Sequence, residues 1–222
     1  MPPALAIFVK TPGLSPIKTR LAASIGQARA EEFFRLSCRI VANAARCARE
    51  LRGGDLQIYW AVAESEALTH PDWKDFPTIH QGDGDLGERL DLVYTSLLAR
   101  HSSVTIIGAD APQILGQDIC DAIAWNVSDH GFVFGPATDG GFWSVTGSLS
   151  VPRSIWIETP WSTSSTLSAL EVRIVNLGKT VVRLRELCDV DTMEDLARLK
   201  SAMDGIDMLA AQRMKNFLDQ IE

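Results

Sequence analysis

A chain of 222 residues, 46% of them hydrophobic, has enough apolar material for a sizeable core, and a single domain spanning residues 1–222 is expected. A formal charge of −7 and a pI near 5.1 argue against nucleic acid or an anionic membrane as a partner, so any cationic site has to be local. The first apolar run is too short for a signal segment, and no later run approaches the ~18 residues of a membrane span, so a cytoplasmic protein without membrane insertion is expected.

The chain opens with the strand-like ALAIFV and then gathers Lys10, Lys18 and Arg20 in the loop KTPGLSPIKTRL. That loop is not a Walker A sequence, because Ile17 stands where the glycine before the lysine belongs. An amphipathic helix is expected over 28–51, where Phe33, Leu36, Ile40, Ala44, Cys47 and Leu51 recur at three- and four-residue steps before Gly53-Gly54 end it.

Strand-like LQIYWAVA and FPTIHQ follow, then a helix over 86–100, VTIIGAD, a helix over 117–125 and GFVFGP. This alternation predicts an α/β protein. After GFWSVTG, PWSTSSTLSAL and TVVRL the chain closes with helical patterns over 192–203 and from 207 onward. Four cysteines (Cys38, Cys47, Cys120, Cys188) and four histidines (His70, His80, His101, His130) lack zinc-site or disulfide-framework spacing.

In an open α/β sheet, ligands bind beyond the carboxyl ends of the strands, so the strand-ending loops matter most. GDGDLG at 82–87 matches a dinucleotide pattern formally, but Asp83 and Asp85 would repel a pyrophosphate, and the stretch reads as a helix-entry turn. Asp110, after VTIIGA and just before Pro112, is either a turn former or a ligand. Asp139-Gly140-Gly141 is either a hairpin turn with Trp143 packed in the core or the floor of a substrate site. Ser162 and Thr163 read as helix caps or substrate contacts. Asp191 with Glu194 fits a capping box, and the same carboxylate is free to face a cation.

Taken together, KTPGLSPIKTRLA, GDLGERL, IGADAP, PATDGGFW, PWST and DVDTMEDL resemble one family in order and over nearly the whole chain. This is the nucleotide-diphospho-sugar transferase (GT-A) superfamily, in its bacterial glycosyltransferase branch related to the molybdenum-cofactor and phospholactate guanylyltransferases.

The resemblance implies a three-layer α/β/α fold with a central mixed, mostly parallel sheet. It implies a nucleotide bound by Lys10, Thr11, Pro12, Lys18, Arg20, Asp85, Gly87 and Arg89. It also implies Mg²⁺ or Mn²⁺ on Asp110 and Asp191, and a substrate against Asp139, Gly140, Gly141, Trp143, Ser162 and Thr163. Lys18, Arg20, Asp110 and Asp139 are the expected catalytic residues.

The activity so implied is metal-dependent transfer of a sugar from a nucleoside-diphosphate donor to a small hydroxyl acceptor. The alternatives are nucleotidyl transfer with release of pyrophosphate, or a catalytically silent nucleotide-binding module. Leu14-Ser15 replaces the branch's usual Pro-Gly, and Phe142-Trp143 replaces its more frequent tyrosines.

Overall fold

The computed structural model describes residues 1–129, 131–202 and 209–221; His130 and the expected helix boundaries at 203 and 207 lie outside the described residues. Seven strands form one sheet: β1 (Ala4–Val9), β2 (Gln57–Val62), β3 (Thr78–His80), β4 (Val104–Gly108), β5 (Phe132–Pro136), β6 (Phe142–Gly147) and β7 (Val181–Arg183). Their spatial order is β3-β2-β1-β4-β6-β5-β7. Only β6 runs antiparallel to its neighbours, β4 and β5, and the other pairings are parallel.

The helices are α1 (Thr19–Ile25), α2 (Gln27–Leu51), α3 (Leu86–Leu98), α4 (Gly116–Asp129), α5 (Ser154–Ile157), α6 (Thr166–Asn176), α7 (Met193–Ala202) and α8 (Leu209–Asp219). Alternation along β1 sends Leu5, Ile7 and Val9 to one face, against Val41, Ala45 and Ala48 of α2 and Ile119 and Ile123 of α4. Ala4, Ala6 and Phe8 point the other way, toward Leu90 and Val93 of α3 and Leu167 and Leu170 of α6. Both faces of the sheet are therefore covered, and the three-layer α/β/α expectation is met.

The α2 stripe differs from its sequence reading. Phe33, Leu36 and Ile40 are buried against α7 and α8, while Phe34, Cys38, Val41, Ala45 and Ala48 face the sheet. The helix thus buries two sides. Cys47 and Leu51 are exposed, because α7 and α8 pack beside the N-terminal half of α2 and the sheet-facing side does not include these two positions. Among the cysteines only Cys38 is buried. Among the described residues no helix is long and apolar enough to cross a membrane.

The connections from the adjacent strands β1 and β4 lead toward opposite edges of the sheet, to β2 and to β5, so the strand order reverses between them, although α2 and α4 cover the same face. A reversal of this kind leaves a crevice at the carboxyl edge that neighbouring loops cannot fill.

Candidate functional site

A cleft of about 680 Å³ occupies that edge. The ends of β1 and β4 form its base, through Phe8, Val9, Ile107 and Gly108. Its wall includes the loop after β1, the one after β4 with Asp110, the β5–β6 turn with Asp139, the segment before α6 with Trp161 and Ser162, and the segment after β7 with Asp189 and Asp191.

Lys18 lies at the centre. Its ammonium is 2.5 Å from Asp110 Oδ1 and 2.8 Å from Asp191 Oδ1, and its side chain is only 4% exposed. Arg20 adds a contact of 2.5 Å to Asp191 Oδ2 while staying largely open to solvent. Burial would depress the Lys18 pKa, but the two carboxylates outweigh it and raise it above the ordinary lysine value. Burial pushes Asp191 upward, and Lys18 and Arg20 outweigh that and hold it below the ordinary carboxylate range. Asp189, mostly enclosed beside Asp110, Asp139 and Asp191, is pushed up to about 7, first by burial and then by those neighbours' charge.

Asp191 is free for these partners because it does not cap α7. The expected box with Glu194 is displaced by one residue. The Thr192 hydroxyl accepts from the Asp195 amide, and the Asp195 carboxylate accepts from the Thr192 amide and hydroxyl and from the Asp191 amide. Asp110 in turn anchors this segment through its carbonyl, which accepts from the Val190 amide at 3.0 Å.

The first loop divides. Lys10 reaches the cleft and, among the described residues, has no salt-bridge partner. Thr11 is fully buried, its amide donating to Glu64 and its hydroxyl accepting from the Trp73 indole, and Pro12 is buried beside it. Both lie outside the cleft wall and hold the loop's shape, whereas the resemblance implied nucleotide contacts for them.

Asp85, Gly87 and Arg89 also lie outside the wall. Asp85 caps α3 in a reciprocal box with Glu88. Gly87 allows α3 to approach the Trp156 carbonyl and the Trp161 indole; an added Cβ would sit 2.5 Å from each. Arg89 donates to Gly84 O and Gln81 Oε1, while the Gln81 amide donates to Val9 O and Ala61 O. This corner therefore positions Gln81 and Leu86, which do line the cleft.

On the far side, Asp139 Oδ1 accepts from the Gly141 amide at 2.8 Å, and Gly140 adopts φ 89°. A side chain at Gly140 would collide with the Ser164 backbone, so the turn sits directly on the segment leading into α6. Trp143 is 3% exposed and donates to the Arg185 carbonyl, so the packing reading of this residue holds, with one edge at the bottom of the cleft.

Ser162 lines the cleft with a left-handed φ of 58°. Thr163 does not cap α6: that helix begins after Ser165, and the Thr163 hydroxyl accepts instead from the Ser165 amide within the turn. Several lining residues are not among the sequence candidates, Trp161 and Asp189 with them. Trp161 stands edge-on to Phe142. Asp189 shares with Asp191 a D-x-D spacing ahead of a helix, which was the available signal.

This arrangement of sheet and helices recurs in solved structures that share little sequence with this chain. A protein from Desulfovibrio desulfuricans G20, provisionally described as a nucleotide-diphospho-sugar transferase, superposes with a TM-score of 0.83 at 18% identity, covering 99% of this chain and 97% of that one. Rv0371c from Mycobacterium tuberculosis H37Rv, solved in complex with manganese, matches at 0.53 with 14% identity over 90% of this chain and 98% of its own. The 4-diphosphocytidyl-2C-methyl-D-erythritol synthase of Anaerococcus prevotii DSM 20548 matches at 0.56 with 8% identity over 98% and 96%.

In sequence, residues 44–163, just over half of the chain, match one family model. The chain belongs to that family, described as an uncharacterized protein conserved in bacteria (DUF2064). No curated protein matches the sequence.

Proposed function

We propose that the protein is a metal-dependent glycosyltransferase that takes a sugar from a nucleoside-diphosphate donor to a small hydroxyl acceptor. One observation carries this reading: Asp110 and Asp191, 81 positions apart in the chain, meet on a single cation at the mouth of a cleft that also holds Lys10 and Arg20. The fold likeness to a protein described as a nucleotide-diphospho-sugar transferase supports the same class.

The donor set suits a divalent ion. Two carboxylates already point at one cation, and hard oxygen donors match Mg²⁺ or Mn²⁺. Among the described residues no group of three or more His, Cys, Asp or Glu is assembled for a metal, so water and phosphate oxygens would have to complete the shell of such an ion. Asp110 and Asp191 would hold it, and when bound it would supply charge stabilisation to the departing diphosphate.

The chain's own groups do the rest. Lys10 and the open side of Arg20 would grip phosphate oxygens, each charge-assisted contact contributing about 1.5–3 kcal/mol. Trp161 and Phe142 would exclude water beside the transferred group. Asp139, fixed by the Gly141 amide, is the candidate acceptor of the hydroxyl proton.

The fold likeness to a 4-diphosphocytidyl-2C-methyl-D-erythritol synthase favours a second reading, nucleotidyl transfer, in which the same cations would hold a triphosphate. A panel of nucleotide sugars and nucleoside triphosphates, assayed with Mg²⁺ or Mn²⁺ and phosphorylated or hydroxylated acceptors, separates them. Release of nucleoside diphosphate supports glycosyl transfer, and pyrophosphate supports the alternative. Tight nucleotide binding with no turnover across the panel means a silent binding module. Asp110→Ala should abolish metal-stimulated nucleotide binding by calorimetry, and unchanged affinity in Mg²⁺ would contradict its role.

A further inference from the structure

Lys18 does not stand where a phosphate-binding lysine would wait. Its ammonium bonds one oxygen of Asp110 and one of Asp191, with the side chain almost sealed from solvent. The backbone at Lys18 is left-handed, φ 45° and ψ 48°, a conformation that persists in a non-glycine residue only where the surroundings hold it. Here Ile17 is buried on one side, and α1 begins immediately on the other.

The position is the one the carboxylate pair offers to a metal. A dication and an ammonium sharing the same oxygens would repel each other, so one must leave before the other is fully bound. Leaving is costly for Lys18 unless an anion receives it, because an unpaired buried ammonium loses both solvation and its partners.

We propose that Lys18 is a tethered competitor of the divalent cation: it holds Asp110 and Asp191 together in the ligand-free protein, a high concentration of the ion is needed to displace it, and it yields at low concentration only when nucleotide phosphates arrive to take its charge. The inference rests on the functional reading above and deepens it by fixing the order of assembly. Metal alone binds weakly, nucleotide alone does not displace Lys18 from the acids, and the two together bind cooperatively. It also assigns the two halves of the first loop different work, with Lys10 and Arg20 open to phosphate from the outset and Lys18 released to it.

Mn²⁺ binding followed by electron paramagnetic resonance, with the full chain and no nucleotide, tests this directly. Lys18→Met, shown to be folded by circular dichroism, should bind Mn²⁺ at least about tenfold tighter than wild type, since a competitor tethered in the site acts at high effective concentration. Adding uridine, cytidine or guanosine diphosphate should then raise the wild-type affinity by a larger factor than the variant's. Equal or weaker Mn²⁺ binding by the folded variant overturns the proposal.

A second measurement uses wild type alone. Acylation of Lys18, read by peptide mass, should rise saturably with Mg²⁺ relative to EDTA, and labelling indifferent to Mg²⁺ overturns the proposal whether or not the variant folds. If neither protein takes up Mn²⁺ even with nucleotide present, the functional reading itself fails. If both take it up with nucleotide but Lys18→Met gains nothing without it, only the competition fails.

Discussion

At the scale of single residues, the site is a balance of acids and cations. Asp110, Asp139, Asp189 and Asp191 line one cleft with Lys10, Lys18 and Arg20, and among the described residues Asp110 and Asp191 form salt bridges while Asp139 and Asp189 form none. An acid whose pKa is higher in the folded state takes up a proton on folding. Asp189 therefore contributes no penalty below its ordinary value of 3.8, and stability falls as pH rises from there through about 7. Asp189→Asn should accordingly raise the melting temperature in EDTA at about pH 8, with little gain at about pH 4, as scanning calorimetry would read. An equal gain at both would mean that Asp189 is ionised throughout. The sequence marked Asp110 and Asp191 as candidates and left each between a turn or cap and a ligand. Both acids face Lys18, which lies 92 positions before the first and 173 before the second.

At the scale of elements, caps decide which acids are available. Asp191–Glu194 and Thr192–Asp195 both fit a capping box, since a carboxylate and a hydroxyl cap with similar strength. The structure takes the second because Lys18 and Arg20 engage Asp191. Thr192→Ala should therefore cost about 1 kcal/mol in urea unfolding, and Glu194→Ala next to nothing. The β5–β6 turn is more demanding. Gly140 combines a left-handed φ with a backbone carbonyl where a Cβ would go, so Gly140→Ala should destabilise by roughly 2 kcal/mol or more and displace Asp139 from the cleft. A variant of wild-type stability would show that the turn repacks freely. Strand and helix periods were readable from apolar spacing, as in β1 and α2. The short α5 was not, because four residues hold too little period to register.

At the scale of the whole molecule, the cleft depends on a strap that runs from the β7 edge back to the loop after β4 and to α4. After β7 the chain runs back across β5, with Leu187 donating to Pro136 O and accepting from the Thr138 amide. Arg185 then binds both oxygens of Asp118 at 2.6 Å and the Gln113 carbonyl, and the Gln113 side chain donates to Cys188 O. These contacts set Asp189 and Asp191 opposite Asp110. Arg185→Met should cost about 1–2 kcal/mol, between the values for exposed and buried pairs, and should speed hydrogen exchange at the Val190 amide while weakening Mn²⁺ uptake. Unchanged exchange would place the strap's strength elsewhere.

Local order along the chain was enough to determine the α/β class, most strands and helices, and the loops rich in Asp, Gly and basic residues, because periodicity and turn chemistry act between near neighbours. Which of those residues face the cleft was decided only by folding. Thr11 and Asp85 turned inward or to a helix end, Trp161 and Asp189 came to the wall, and Lys18 settled between two acids, since charge pairing and burial act through space and not along sequence.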